Sequence, residues 1–526
     1  MYWLELYVLS HKQGTTTPLA WGLFICSFLL FVKISPRSFV DHFKFFQDQF
    51  RQESLFLKIY ISFGLILSGI ILSCGFYASL LPPHLPQETD AIIYHITLPR
   101  QHLLWGTFEH LRWSSADLFL LPIDFALAPF WLSTQLPNKI PQFLFFIGII
   151  FVSLKWMMRL SQNRFWGLLL IFFAVLGSHN ISIQLGTAML GFVSTYLFIA
   201  ALDSFLERRL FLCALESSFL FWSKPFVPFQ VVLVVGVGIV LYMVLRKMGF
   251  SKIGWSSYEW FSANLKKDYR KYFVKFMSVF LVLSVLVAGP FLIKSLYYAG
   301  TPIYPFFTGV FKINPHIDEN SVGWQSILEK SRQYHTYKDA YGHGRSFLDL
   351  VRHFWLVAVP EDGVNNSFDY PLGLAYLLCL GPFVYIFFRS LLNREFLILP
   401  WIVALDWGLW WLTSQQTRFL YVPILLMMLV VLSQRTMQTK MMRLGLLLAL
   451  AMTSLSVVRA HKNDFGKSAM DVLREKDREF VLMSEHIKAG QPVRLQNYKA
   501  AFANFPVEVV GTDGIVLLQF EGPPSK

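Results

Sequence analysis

Charge is scarce in this sequence. Of its 526 residues only 15% are Asp, Glu, Lys or Arg, where a soluble domain carries about 25%. Cysteine is scarcer still: Cys26, Cys74, Cys213 and Cys379 all fall inside apolar runs, with no CxxC spacing. That excludes a disulfide scaffold and offers no zinc motif. Nucleotide loops are missing too, since GVG at 236–238 and GHG at 342–344 lack a strand-turn-helix setting. No internal repeat or low-complexity tract occurs. The first residues carry Glu5 and no compact basic start, so no cleavable leader is expected. What abounds is apolar: 55% hydrophobic and 17% aromatic residues, with mean hydropathy +0.47. One water-soluble core cannot hide so much apolar surface. The composition predicts an all-α polytopic membrane protein.

Apolar runs predict about twelve helices, near residues 18–33, 57–81, 139–157, 165–179, 188–203, 209–223, 227–246, 275–293, 371–389, 396–413, 419–434 and 442–458. Basic residues collect between alternate runs: Lys33 to Arg51, Lys155 to Arg164, Arg208 and Arg209, the stretch 246–275, Arg389 and Arg394, and Arg435 to Arg443. Placing those connections in the cytoplasm accounts for the net charge of +13 without invoking nucleic acid. The other connections, 82–138, 180–187, 224–226, 294–370, 414–418 and the tail from 459, then lie outside. The run 117–133 is apolar enough to span but holds Asp117, Pro122, Asp124 and Pro129. A span there would invert every later loop, so a helix lying in the outer interface is expected. The chain thus divides into an extra N-terminal helix with its connection (1–56), a transmembrane domain (57–460) and a small outer tail (461–526). In that tail 476–490 reads as helical, and PVEVVGTDGIVLLQF as short strands around a Thr-Asp-Gly turn.

Chemistry concentrates in LPPHLPQETDAIIYHITLPRQHLLWGTF, residues 81–108. Pro82, Pro83 and Pro86 stop the preceding helix. Glu88 and Asp90 follow at the membrane edge, where desolvation makes a carboxylate costly without a partner or a task. Beside Tyr94, His95 and Arg100, such a carboxylate can deprotonate a hydroxyl or help hold a divalent cation. The competing reading is that Glu88 and Asp90 cap the next helix. Glu216 and Asp406 lie inside apolar runs, where a carrier would hold ion sites, but with no inverted repeat they are expected to pair with neighbouring helices or edge water. Lys294, His343 and Arg345 read either as a solvated loop surface or as further phosphate-binding groups, and His335 and Tyr341 are loop residues.

An acidic residue outside an early helix, followed by D-A-x-x-Y-H-x-x-L-P-R, resembles the polytopic glycosyltransferases of the GT-C fold. Within them it is most similar to bacterial relatives of the dolichyl-phosphate-mannose–protein mannosyltransferases and the lipid A aminoarabinose transferases. Trp222-Ser223-Lys224-Pro225, GTPIYPFF at 300–307 and SQQTRFLYVP at 414–423 resemble further stretches of that family, in order, over residues 57–460. The resemblance implies a GT-C-like bundle of about twelve transmembrane helices with interfacial helices at the outer face. It implies transfer, with inversion, from a polyprenyl-phosphate sugar donor to a lipid, glycan or protein acceptor. The setting it implies is a bacterial inner membrane, with the active site outside the cytoplasm.

Carried onto this sequence, Asp90 becomes the catalytic base. Glu88, Tyr94, His95, Arg100 and Tyr304 become pocket residues, and Lys224 and Arg418 the cations that hold donor phosphate. No cofactor follows with certainty. A divalent cation would draw on Asp90, Glu88 and His95. The chain departs from the family in having Thr301 for its asparagine and no acidic residue between Ser178 and Ala201, which counts against a metal site. Two other function classes stay open: a carrier or flippase for lipid-linked sugars, and a catalytically silent envelope scaffold.

Overall fold

A computed structural model of the chain describes residues 36–83, 90–105, 114–119, 122–132, 138–161, 163–188, 190–223, 243–250, 252–254, 269–308, 344–358, 370–413, 415–468, 493–495 and 516–518, with Glu88, Phe108, His110, Leu111, Phe368 and a few other isolated positions. It is mostly helical. The helices are α1 (Pro36–Gln52), α2 (Leu55–Leu80), α3 (Thr97–Trp105), α4 (Pro122–Leu132), α5 (Ile140–Leu160), α6 (Arg164–Gly177), α7 (His179–Ile183), α8 (Gly191–Leu206), α9 (Leu210–Phe221), α10 (Tyr269–Ala299), α11 (Phe347–Leu356), α12 (Leu374–Leu392), α13 (Ile398–Leu412), α14 (Tyr421–Ser433) and α15 (Lys440–His461). Short strands β1 (Lys252–Gly254) and β2 (Glu395–Leu397) pair in parallel. β3 (Val493–Leu495) and β4 (Val516–Leu518) pair antiparallel.

The ends of these helices follow local chemistry. The Ser54 hydroxyl accepts from the Leu57 N–H at the start of α2, and that helix stops just before Pro82 and Pro83. Thr439 caps α15 in the same way, and Asn163 caps α6. Among the described residues, five helices are long and apolar enough to cross a membrane: α2, α5, α10 over Tyr272–Ala299, α12 and α15. The apolar helices α6, α8, α9, α13 and the stretch Thr417–Ser433 are shorter than the roughly 20 residues a hydrocarbon core asks for. Ten of the twelve apolar runs coincide with described helices. The run 18–33 lies outside the described residues, and 227–246 largely does.

Contacts between connections sort into two groups, one at each end of the bundle. At one end, Gln438 donates to Ser161 Oγ at 3.0 Å, and Tyr60 donates to the Arg443 carbonyl at 2.6 Å. The Arg443 guanidinium lies 3.5 Å over the Trp166 ring, and Lys155 meets Asp203 at 2.6 Å. The β1–β2 pair joins two more of the basic connections here. At the other end, the Lys139 N–H donates to the Ser79 carbonyl at 2.7 Å and the His179 N–H to that of Leu372 at 3.1 Å. Arg418 meets Asp90 there. Connections rich in Lys and Arg therefore gather at one end, and the polar, aromatic ones at the other.

The Lys139–Ser79 bond fixes the path of residues 82–138. They leave α2 and return to α5 at the same end of the bundle. The apolar run 117–133 forms a 3₁₀ turn (Ser115–Leu118) and then α4. Eleven residues of α-helix reach only about 16 Å, roughly half a hydrocarbon core. In the tail, β4 pairs with Val493–Leu495, and the residues of the expected Thr-Asp-Gly turn lie outside the described residues. The helical stretch 476–490 lies outside the described residues. Cys74, Cys213 and Cys379 are buried.

Small residues let the helices approach closely. A Cβ on Gly64 of α2 would sit 2.2 Å from the Phe173 ring of α6, whereas one on Gly69 meets nothing within 4 Å. Gly64→Ala should therefore lower stability by about 1–3 kcal/mol through overpacking. Gly69→Ala should leave it unchanged or slightly raised. Denaturation of both variants in the same detergent checks the pair, and equal losses would contradict the packing described.

Candidate functional site

Asp90 opens a single π-helical turn, Ala91–His95, directly before α3. Such turns are rare and recur at functional sites. Its side chain makes no capping hydrogen bond to that turn. Instead Asp90 Oδ2 lies 3.3 Å from Arg418 Nη2, with the two side chains 33% and 18% exposed. Arg418 is presented by a 3₁₀ turn, Thr417–Leu420, at the head of α14. The Thr417 hydroxyl lies within hydrogen-bond reach of both the Phe368 and Tyr370 carbonyls, at 2.6 and 2.7 Å. Arg418 Nε donates to Gln416 Oε1 at 3.0 Å. A carboxylate and a guanidinium from distant parts of the chain thus meet, partly exposed, at one end of the bundle.

The neighbouring carboxylates are buried and committed. Glu88 accepts from Lys139 Nζ at 3.0 Å and from the Ala188 N–H at 2.7 Å, tying the first loop to α5 and to the turn before α8. His95 Nδ1 donates to Asp124 at 3.1 Å. Seven residues on, His102 Nε2 donates to Asp117 at 2.5 Å. The partners of His95 and His102 are also seven residues apart, in the opposite order. Two His–Asp rungs therefore clasp the π turn and α3 against the 3₁₀ turn and α4.

The second rung carries more. Asp117 also accepts from His110 Nδ1 at 3.1 Å and from the Leu111 N–H at 2.7 Å. Lys294 of α10 reaches it at 2.7 Å. That ammonium also stands 2.9 Å from His102 Nε2 and 4.7 Å over the Phe108 ring. Burial alone would raise the Asp117 carboxyl. The charges of His102 and Lys294, with the hydrogen bonds from both histidines, overcome this and hold it well below the usual carboxylate range.

Among the expected site residues, Asp90, Tyr94 and Arg418 retain exposure. Tyr94 packs at a tilt against His95, with ring centroids 4.2 Å apart, and meets Phe119 edge-on. Glu88, His95, Arg100 and Tyr304 are buried at 4% exposure or less, so their contacts are internal to the protein. Burial pulls the Arg100 guanidinium down to about 10, still charged at neutral pH. Tyr304 stacks on Phe119 at 5.8 Å and donates its N–H to Ser295 Oγ. Lys224, His335, Tyr341 and His343 lie outside the described residues. Arg345 donates to the Thr413 carbonyl. Of the two carboxylates within apolar runs, Glu216 accepts from Ser204 at 2.6 Å, and Asp406 is buried.

Asp90, Glu88 and His95 do not form one ligand set, because each faces a different partner. Among the described residues, no group of three His, Cys, Asp or Glu is placed to hold a metal ion. His102 and His110 were not singled out by sequence motifs. The matching seven-residue spacing of His95/His102 and Asp117/Asp124 was the available signal.

Removing Asp117 would leave Lys294 buried without a counter-charge. Asp117→Asn should cost about 3–5 kcal/mol, and Lys294→Met in the same chain should recover part of that loss. Because the Asp117 carboxyl is depressed below its unfolded value of about 3.9, its contribution is complete above that pH. It fades as pH falls toward the folded value. Unfolding of the single and double variants across pH 3–7 measures both effects, and additive losses in the double variant would contradict the pairing.

A family described as a domain of unknown function, DUF8201, matches residues 260–425. That stretch carries Lys294, Tyr304 and Arg418 and leaves out the first loop with Asp90 and Asp117. No curated protein and no solved structure matches the chain.

Proposed function

We propose that this chain is an integral-membrane glycosyltransferase. It moves a sugar from a polyprenyl-phosphate donor to a hydroxyl of a lipid, glycan or protein acceptor, at the membrane face that carries Asp90. The supporting observation is the Asp90–Arg418 pair, the point in the described first loop where a carboxylate is neither buried nor used as a helix cap. The finer topology belongs to the same proposal. About twelve spans cross a bacterial inner membrane, with the basic connections inside and the Asp90 end outside. The sorting of connections between the two ends of the bundle supports that arrangement.

In the proposed reaction the Asp90 carboxylate takes the proton of the acceptor hydroxyl. The acceptor oxygen forms a bond to the anomeric carbon from the face opposite the phosphate. The anomeric C–O bond breaks, and the polyprenyl phosphate leaves with its electron pair, so the configuration inverts. The Arg418 guanidinium lies where it can share its donors between Asp90 and the departing phosphate, a planar fork suited to that anion. Charge that grows on the phosphate during bond breaking meets a fixed cation.

The test uses the protein reconstituted in lipid with radiolabelled polyprenyl-phosphate sugars and membrane extract as acceptor source. Wild type should transfer label. Asp90→Asn should lose roughly 100-fold or more in rate while retaining the wild-type unfolding midpoint. Arg418→Gln should chiefly weaken donor use. Transfer undiminished in Asp90→Asn would remove Asp90 from the chemistry. No transfer by wild type from any polyprenyl-phosphate sugar would overturn the reading.

A further inference from the structure

Helix α11, Phe347–Leu356, has three faces. Its N-terminus is set by a capping box, in which the Ser346 hydroxyl accepts from the Asp349 N–H and the Asp349 carboxylate from the Ser346 N–H. At about 100° per residue, His353, Leu350 and Phe354 turn toward the bundle. His353 is buried against Phe368 and Trp410, and Phe354 stacks on Trp407 at 5.0 Å. Arg352 and Asp349 form a polar edge. The remaining sector is an apolar stripe of Phe347, Leu348, Val351 and Trp355, which are 74%, 67%, 55% and 60% exposed.

Contacts at both ends of the helix fix its depth. Arg345 donates to the Thr413 carbonyl, just past the end of α13, at 2.8 Å, and Gln415 to the Gly344 carbonyl at 2.9 Å. Tyr376, in the first turn of α12, donates to the Phe354 carbonyl at 3.2 Å. The Leu372 N–H donates to the Val357 carbonyl at 2.7 Å. Trp407 lies five residues before the end of α13, so the helix sits within about 8 Å of that end of the bundle. At ten residues it is about 15 Å long and cannot cross a bilayer. The exposed apolar side chains of α2, α10, α12 and α15 form the belt that a bilayer would cover, and the α11 stripe lies at its rim.

We propose that α11 lies in the headgroup boundary of the leaflet on the Asp90 side. Its stripe is buried in lipid acyl chains, with Trp355 anchoring it and Arg352 facing headgroups and water. The three-sided pattern supports this occupant. A solvated helix would not carry four large apolar side chains on one sector, and an interfacial helix requires a core side, a lipid side and a wet edge. The inference rests on the chain being embedded in a bilayer and not on any catalytic activity.

Nitroxide labels on Leu348→Cys, Val351→Cys and Arg352→Cys, with Leu448→Cys in α15 as a lipid-facing reference, test it in lipid nanodiscs. The signal of the unsubstituted chain is subtracted. At positions 348 and 351 the ratio of oxygen to water-soluble nickel collisions should be several-fold above that at 352 and should approach that at 448. High nickel access at 348 and 351, with 448 still oxygen-accessible, overturns the inference alone. Nickel access at 448 as well overturns the membrane reading beneath it. Exclusion of both reagents from 348 and 351 would mean that a second copy or another protein covers the stripe, and would also overturn the inference.

Discussion

A carboxylate taken out of water must meet positive charge or N–H donors, and that requirement organises the first loop. Glu88 meets it with Lys139 and a backbone amide, Asp124 with His95, and Asp117 with two histidines, a backbone amide and Lys294. Each pairing draws in another element: α5, the π turn, α3 and α10. The loop therefore has little freedom left once its acids are satisfied. Asp90 is what remains at the edge, and its position is inherited from these neighbours. The exposed place of Asp90 and the stability at Asp117 are thus two results of one electrostatic constraint.

Much of the bundle was legible in the sequence because hydrophobic runs and flanking charges are local signals. The run at 57–81 becomes α2 within two residues, and Pro82 marks its end. The proline-broken run 117–133 was legible for the same reason, since Asp117 and Asp124 argued against a span. Side-chain pairing was not legible, because it depends on which distant segments fold together. Glu88 and Asp90 looked alike as membrane-edge acids. Lys139 and Arg418, far along the chain, give them opposite fates. Lys294 read as a solvated loop residue or a phosphate-binding group, yet it is buried beside Asp117 and Phe108 as a counter-ion.

The two ends of the bundle are held by different means. At the basic end, Lys155, Arg159 and Arg209 surround Asp203 and Glu207, and the Glu207 carboxyl titrates down at about 2. Burial opposes that shift, and hydrogen bonds and charge from Lys155 and Arg159 outweigh it. Those groups lie close together along the chain or on adjacent helices. At the Asp90 end the contacts run from Ser79 to Lys139, from Glu88 to Ala188 and from Asp90 to Arg418. Because Tyr60 also reaches the Arg443 carbonyl and Ser161 reaches Gln438 at the basic end, neither end is complete until the last helices are in place.

The Asp117–Lys294 contact sets a schedule for biosynthesis. Asp117 leaves the ribosome long before Lys294. At ordinary elongation rates the gap is on the order of ten seconds. Through that interval Asp117 has only the partners its own loop supplies, His102, His110 and the Leu111 N–H. Arrival of α10 supplies the charge that lets the site end dry and close. A chain stalled or truncated before α10 would display that unsealed loop to quality-control proteases, although the earlier helices would already be threaded.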